Sequence, residues 1–158
     1  MKRKNWKVYG VWIGISFITG VLSGLLSRSG MAEYAQNTIK PPLTPPAVVF
    51  PIVWTLLYIL MGIGAARIWL SEPSVQRSTS LNLFVTQLVV NFFWSIIFFQ
   101  LRAFDLAFLW LLLLWGLVLW MVLTFRKVDP VAAVLQIPYL LWLTLAAYLS
   151  GGVWILNS

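Results

Sequence analysis

The placing of charge in this chain leaves it few ways to fold. Five stretches, at about 8–27, 47–70, 81–101, 105–126 and 131–155, are each apolar over the roughly 20 residues a helix needs to cross a bilayer. The charged residues fall between these stretches or at their ends. They make up only 9% of the chain, where an ordinary soluble domain carries about 25%. Hydrocarbon cannot bond a backbone amide or carbonyl, so apolar runs of this length read as helices. The expected fold is an all-α membrane protein, a single domain over residues 1–158 built as a bundle of five transmembrane helices.

The net charge of +7 would point to nucleic acid in a soluble protein. Here it is read as membrane orientation, and no nucleic-acid partner is expected. With the N-terminus inside, the inner side holds Lys2, Arg3, Lys4, Lys7, Arg67, Arg77, Arg126 and Lys127. The outer side holds Arg28, Lys40 and Arg102. The excess of basic residues on one side places the N-terminus in the cytoplasm and the C-terminus outside. The basic start resembles the beginning of a signal peptide, but no small-residue cleavage site follows, so a retained first helix is expected. The chain has no His and no Cys, which removes thiolate nucleophiles, disulfides and the usual haem ligands. Its four carboxylates, Glu33, Glu72, Asp105 and Asp129, lie in or beside loops. No pair shares a helix face inside the bundle, so paired acid–base chemistry is unsupported. No metal site and no phosphate-binding glycine loop is read.

The connection at about 28–46 is long enough to act as a functional lid, with a short helix expected over Met31–Asn37. It ends in Lys40–Pro46, which holds four prolines. These lack backbone donors and hold the preceding residues extended, so Pro45-Pro46 read as a stiff entry into the second helix. Trp54 and Tyr58, four apart, then share a face. Either this is a pocket mouth with an aromatic wall below it, or a loop above an interfacial aromatic belt.

On the first helix, Gly20 and Gly24 with Ser16, Ser23 and Ser27 form a small-residue face suited to close packing. On the third, Gln87, Asn91, Trp94, Ser95 and Phe98 form one stripe. Lipid cannot satisfy its amides, so they face protein or a cavity. The fourth helix, nearly all Leu, Val and Trp, is read as a lipid-facing wall. In the fifth, Pro138 is expected to kink the helix, and Tyr139, Trp142, Ala146 and Leu149 lie along one face. No internal repeat supports an inverted-repeat transporter.

Three stretches acquire meaning together: Lys40-Pro41 with Pro45-Pro46, Phe50 and Trp54–Tyr58; Asn91–Ser95 with Phe98-Phe99; and Pro138–Trp142 with Ala146 and Leu149. In order and over nearly the whole chain, they resemble the TspO/MBR family of tryptophan-rich sensory and translocator proteins. The resemblance implies a five-helix bundle, a homodimer, and a pocket near the long outer loop that takes porphyrins and, in some members, benzodiazepine-type ligands. It implies ligand contacts from Tyr34, Pro45, Trp54, Tyr58, Asn91, Trp94, Phe98, Trp142 and Ala146. In some bacterial relatives it implies light-dependent porphyrin degradation, for which Trp54 and Trp142 are the candidate catalytic residues. Leu43 stands where the family often has Trp, and Ser150 follows Leu149 where it often has Asn. Tyr148 is followed by no basic residue, so sterol binding is not carried over.

The chemistry agrees with this. A porphyrin is a broad apolar disc with two carboxylates on one edge. Indole and phenyl rings can stack on the disc, Asn91 can orient a polar edge, and Arg28 and Lys40 can meet the propionates. The expected function is a tetrapyrrole-binding protein of the bacterial cell membrane, a sensor or scavenger, with porphyrin as ligand or substrate and no resident cofactor required. The alternative is a transporter of porphyrins or similar apolar molecules.

Overall fold

The computed structural model describes residues 2–158, with side chains from Asn5 onward. Every regular element among them is helical: α1 (Lys2–Leu26), α2 (Arg28–Asn37), α3 (Val49–Trp69), α4 (Val75–Ser95), α5 (Phe104–Val128), α6 (Pro130–Leu135) and α7 (Ile137–Leu156). A single wider turn, Ile96–Gln100, continues α4. Helices α1, α3, α4 with its wide turn, α5, and α6 joined to α7 supply five segments able to span a membrane.

Several boundaries differ from expectation for local reasons. The basic start is itself helical, so α1 begins at Lys2 rather than near residue 8. The helix in the long connection begins at Arg28, three residues before Met31. Helix α4 starts at Val75 because the Ser74 hydroxyl accepts from the Arg77 N–H and caps its first turn. Pro130 occupies the first position of α6, with Asp129 accepting from the Val131 N–H as its cap. The fifth span breaks at Gln136, two residues before Pro138. A proline cannot donate to the carbonyl four residues earlier, and its ring presses on that turn.

The spans close into a ring. α1 packs on α3, α3 on α6, α6 and α7 on α5, α5 on α4, and α4 back on α1. Gly62 lets α1 approach closely, since a Cβ there would strike the Ile13 backbone. Gly20 receives the Tyr58 ring on its bare surface, whereas Gly24 faces open space. The small face of α1 is thus used at Ser16, Gly20 and Ser23, all turned inward, and the Ser23 hydroxyl donates to the Phe92 carbonyl at 2.8 Å.

The fourth span is not a simple lipid wall. Ala107, Leu111, Leu114, Val118, Met121 and Phe125 form a fully buried stripe at helical spacing, while Leu109, Leu113 and Trp120 face outward. The Trp110 indole donates to the Val90 carbonyl at 2.7 Å and Trp115 to the Thr144 hydroxyl at 2.9 Å. At the end holding the basic residues, Arg67 pairs with Asp129 at 2.7 Å, and Arg77 lies over the Trp69 ring.

One gap positions the site. The fifth span meets α3 through α6, but α7 makes no extended backbone contact with α3 or α4. Across this separation stand the rings of Phe50, Trp54, Tyr139 and Trp142.

Candidate functional site

Phe50, Trp54 and Tyr58 follow one another at four-residue steps, so α3 presents them as a single stripe toward α7. The proline segment sets its start: turns Pro46–Val49 and Ala47–Phe50 lead the chain into α3. From α7, Trp142 reaches back to Phe50 and Trp54, with ring centroids 5.6 and 6.5 Å apart. Trp54 also meets Tyr139 at 6.1 Å and lies tilted over Tyr58 at 5.6 Å. The contacts of Trp142 with Phe50 and Trp54 are edge-to-face, the geometry aromatic quadrupoles favour.

Beneath this cluster runs a buried polar chain. Tyr58 Oη donates to Asn91 Oδ1, Asn91 Nδ2 to Tyr139 Oη, and Tyr139 Oη to Gln87 Oε1, each at 2.7 Å. Gln87 Nε2 points to the Met61 sulfur at 3.9 Å. The thioether only accepts, so it fixes the Gln87 amide, and the direction of each later bond follows. Asn91 is 4% exposed and Gln87 closed off. Of the two roles open to Asn91, its oxygen and nitrogen are engaged in tying α3, α4 and α7 together.

A second aromatic group lies at the C-terminal end of α4, against α2. Trp94 stacks on Phe98 at 5.1 Å and 25°, and Phe98 also meets Tyr34, Phe99 and Phe104 at 4.8–5.4 Å. The wide turn re-aims these side chains by placing one extra residue in the helix, with the Leu101 N–H reaching the Ile96 carbonyl. Burial pushes the Tyr34 phenol above its ordinary range, so it stays neutral. Helix α2 is held in place by the Gln100 side chain, which accepts from Ser29 and the Gly30 N–H, and by Glu33 with Arg102 at 3.2 Å.

The segment after α2 is strapped along α7. Ile39 exchanges two hydrogen bonds with the Asn157 amide, Pro41 is buried against Gly152, and Tyr148 Oη donates to the Pro42 carbonyl at 2.9 Å. Leu43, 81% exposed, has φ 70° at the turn's third position, a conformation glycine fills without cost. Lys40 turns away from the role expected for it. Its ammonium lies over the Tyr34 ring and donates to the Tyr34, Ala35 and Thr38 carbonyls, capping α2. Arg28 is exposed at the start of α2.

The structure therefore brings Trp54, Tyr58 and Trp142 into one cluster, with Asn91 behind it, and gathers Tyr34, Trp94 and Phe98 into another. Pro45 and Ala146 are half-buried nearby in sequence, and neither appears in these ring or hydrogen-bond contacts. Phe50 and Tyr139 belong to the cluster but were not among the expected contacts. Their signal was available: Phe50 is one turn before Trp54, and Tyr139 lies on the Trp142 face. A groove of about 430 Å³ opens on the outside of the cluster, between α3 and α7. It is lined by Val53, Leu56, Leu60, Leu141 and Leu145, and Trp142 is the one expected residue on its wall. Among the described residues, no three carboxylate, His or Cys groups gather into a metal-binding set.

Comparison with known proteins places this architecture. The profile described as the TspO/MBR family matches residues 12–155. The chain is 30% identical over 154 residues to the tryptophan-rich protein TspO of Chlorobaculum tepidum, covering 92% of each. It is 35% identical over 147 residues to the translocator protein of Ovis aries, covering 92% of this chain and 82% of that one. It is 38% identical over 119 residues to protein CrtK of Rhodobacter capsulatus, covering 75% and 74%. With a helical bundle able to cross the membrane five times and a family match over nearly its whole length, the chain belongs to the TspO/MBR family.

Proposed function

We propose that the protein binds a tetrapyrrole in the membrane, as a sensor or scavenger, and that bound porphyrin is degraded in light. The observation carrying this reading is the separation of α7 from α3, bridged by Phe50, Trp54, Tyr139 and Trp142 rather than by close backbone packing. Aromatic rings can stack on a flat ligand, a contact worth about 0.5–1.5 kcal/mol beyond the area it buries. The groove against Trp142 gives an apolar molecule dissolved in the bilayer a lateral approach, and its volume falls in the range of small-molecule sites. Light excites the bound porphyrin, which can take an electron from a neighbouring indole, and dissolved dioxygen is the terminal oxidant for the loss of the macrocycle. The chain supplies two oxidisable indoles, Trp54 and Trp142, and a stack that keeps water away. The cation expected to meet a propionate is Arg28 alone, since Lys40 is engaged.

The basic residues at the Arg67 and Arg77 end support a cytoplasmic N-terminus. The bacterial relatives support a bacterial cell membrane as the location. The apolar outer faces of the bundle suit lipid and a homodimeric partner.

The test is an optical titration of the purified protein with protoporphyrin IX in the dark. Saturable binding above that of empty detergent micelles is expected. Its absence overturns the reading. Net porphyrin flux into sealed vesicles would replace sensor with carrier.

A further inference from the structure

Both ends of the bundle carry cations, but the two ends use them differently. At the end where α2 lies, Arg102 pairs with Glu33 at 3.2 Å, and Lys40 commits its ammonium to the Tyr34, Ala35 and Thr38 carbonyls. The opposite end collects Lys7 of α1, Arg67 of α3, Arg77 of α4, and Arg126 with Lys127 of α5. Contacts between helices fix this grouping. Trp12 of α1 meets Trp69 at 5.9 Å, Arg77 lies over Trp69, and Arg67 pairs with Asp129 in the turn after α5. Arg67 is thereby engaged, and Arg77 donates to the Trp69 carbonyl. Among the described residues, Lys7, Arg126 and Lys127 are exposed and make no ion pair. The acids at this end are Glu72 and Asp129, and Asp129 is taken by Arg67. The sequence adds Lys2, Arg3 and Lys4 immediately before Lys7.

What surrounds these free cations says which anion suits them. Lys127 is the last residue but one of α5, a span of the membrane. Leu123 and Trp120 lie four and seven residues before it on the same face, and both are exposed. Arg126 flanks that face. A long basic side chain so placed lays its stem along apolar surface and carries its charge to the level of the headgroups. On α1, Lys7 has a similar neighbour in Trp6, 79% exposed, an indole suited to the same zone. A soluble polyanion would meet the charges and leave the apolar strip below them bare. A phospholipid with a negative headgroup covers both.

We propose that this end of the bundle is a docking surface for anionic phospholipid, with Arg126 and Lys127 holding a phosphodiester headgroup while its acyl chains lie along Leu123 and Trp120. Lys7 adds to the same field from α1. The surface is independent of the tetrapyrrole reading and lies at the opposite end of the bundle from α2. Lipid held there bears on α5 beside the turn at Asp129, where the Arg67 pair and the cap of α6 tie α3, α5 and α6 together. Occupancy therefore stabilises the folded bundle by mass action.

The experiment titrates the full chain, purified in neutral detergent at low salt, with dioleoylphosphatidylglycerol or dioleoylphosphatidylcholine, and reads the melting temperature. Half-maximal stabilisation is expected at about five- to twentyfold less of the anionic lipid, the effect of one or two bases at a membrane surface. High salt should bring that ratio toward one. So should the double replacement Arg126→Gln with Lys127→Gln, whose melting temperature in the neutral lipid should match wild type, since both side chains are exposed. Arg126→Lys is expected to keep the ratio, and Arg102→Gln, at the opposite end, to leave it alone. A wild-type ratio near one, or a ratio unchanged in the double variant, overturns the docking surface and leaves these bases as signals of orientation only. Stabilisation by inorganic phosphate as strong as that by the anionic lipid would show a site for a soluble anion, which also overturns it.

Discussion

Asn91 shows what a single buried amide does when both of its groups are bonded to neighbouring helices. Replacing it with Leu leaves Tyr58 Oη without its acceptor and Tyr139 Oη without its donor. Interhelical hydrogen bonds in membranes average about 0.6 kcal/mol and reach about 1.7. Asn91→Leu should therefore lower the melting temperature in detergent, with the porphyrin affinity of the folded fraction changed less than about threefold. A large loss of affinity at unchanged stability would move Asn91 into the binding surface. Leu43 offers the opposite case: Leu43→Gly relieves a left-handed conformation in an exposed turn. It should be neutral or stabilising by up to about 1 kcal/mol, measured by thermal unfolding. The amides at 87 and 91 were legible as inward-facing, because lipid offers them nothing. Their partner Tyr139 was visible only as a residue on the Trp142 face, since a phenol is at home in a core, a pocket or an interface.

At the scale of elements, hydropathy marked every span, and capping by Ser74 and Asp129 explains where α4 and α6 begin. The packing of α5 was not legible. In a soluble helix a polar face marks the outside, but in a bilayer both faces of α5 are Leu, Val and Trp, so periodicity carries no sign of which is buried. Small residues carry that information better, though unevenly. Gly62 and Gly24 look alike in sequence, yet only the first lies against another backbone. Gly62→Leu should cost about 1–3 kcal/mol by forcing α1 away from α3. Gly24→Ala should be neutral or mildly stabilising, because glycine is a poor helix former and the site is open. Equal losses in the two variants, read from thermal unfolding in detergent, would contradict the packing of α1 on α3.

At the scale of the whole molecule, the closed ring of five spans assigns alternate ends to opposite sides of the membrane. The expected topology has the N-terminus in the cytoplasm. A reporter fused after Ser158 should be active only if it works outside the cytoplasm, and activity of a cytoplasm-only reporter there would reverse the orientation. The ring also explains the site. The fifth span meets α3 through α6 at one end and α7 parts from it at the other, and the opening holds rings expected as ligand contacts together with Phe50 and Tyr139, which lie in the same motifs but were not among those contacts. The central claim is that these rings handle a porphyrin, and light-driven loss of porphyrin absorbance tests it most directly. Wild type, Trp54→Phe and Trp142→Phe are loaded with protoporphyrin IX and illuminated beside porphyrin in empty micelles. Phenylalanine keeps most of the apolar area, so both variants should bind within about tenfold of wild type, about 1.4 kcal/mol. They should bleach porphyrin much more slowly than wild type, which should outpace the micelle control. Wild-type bleaching no faster than the control, or both variants bleaching at the wild-type rate, would contradict the account.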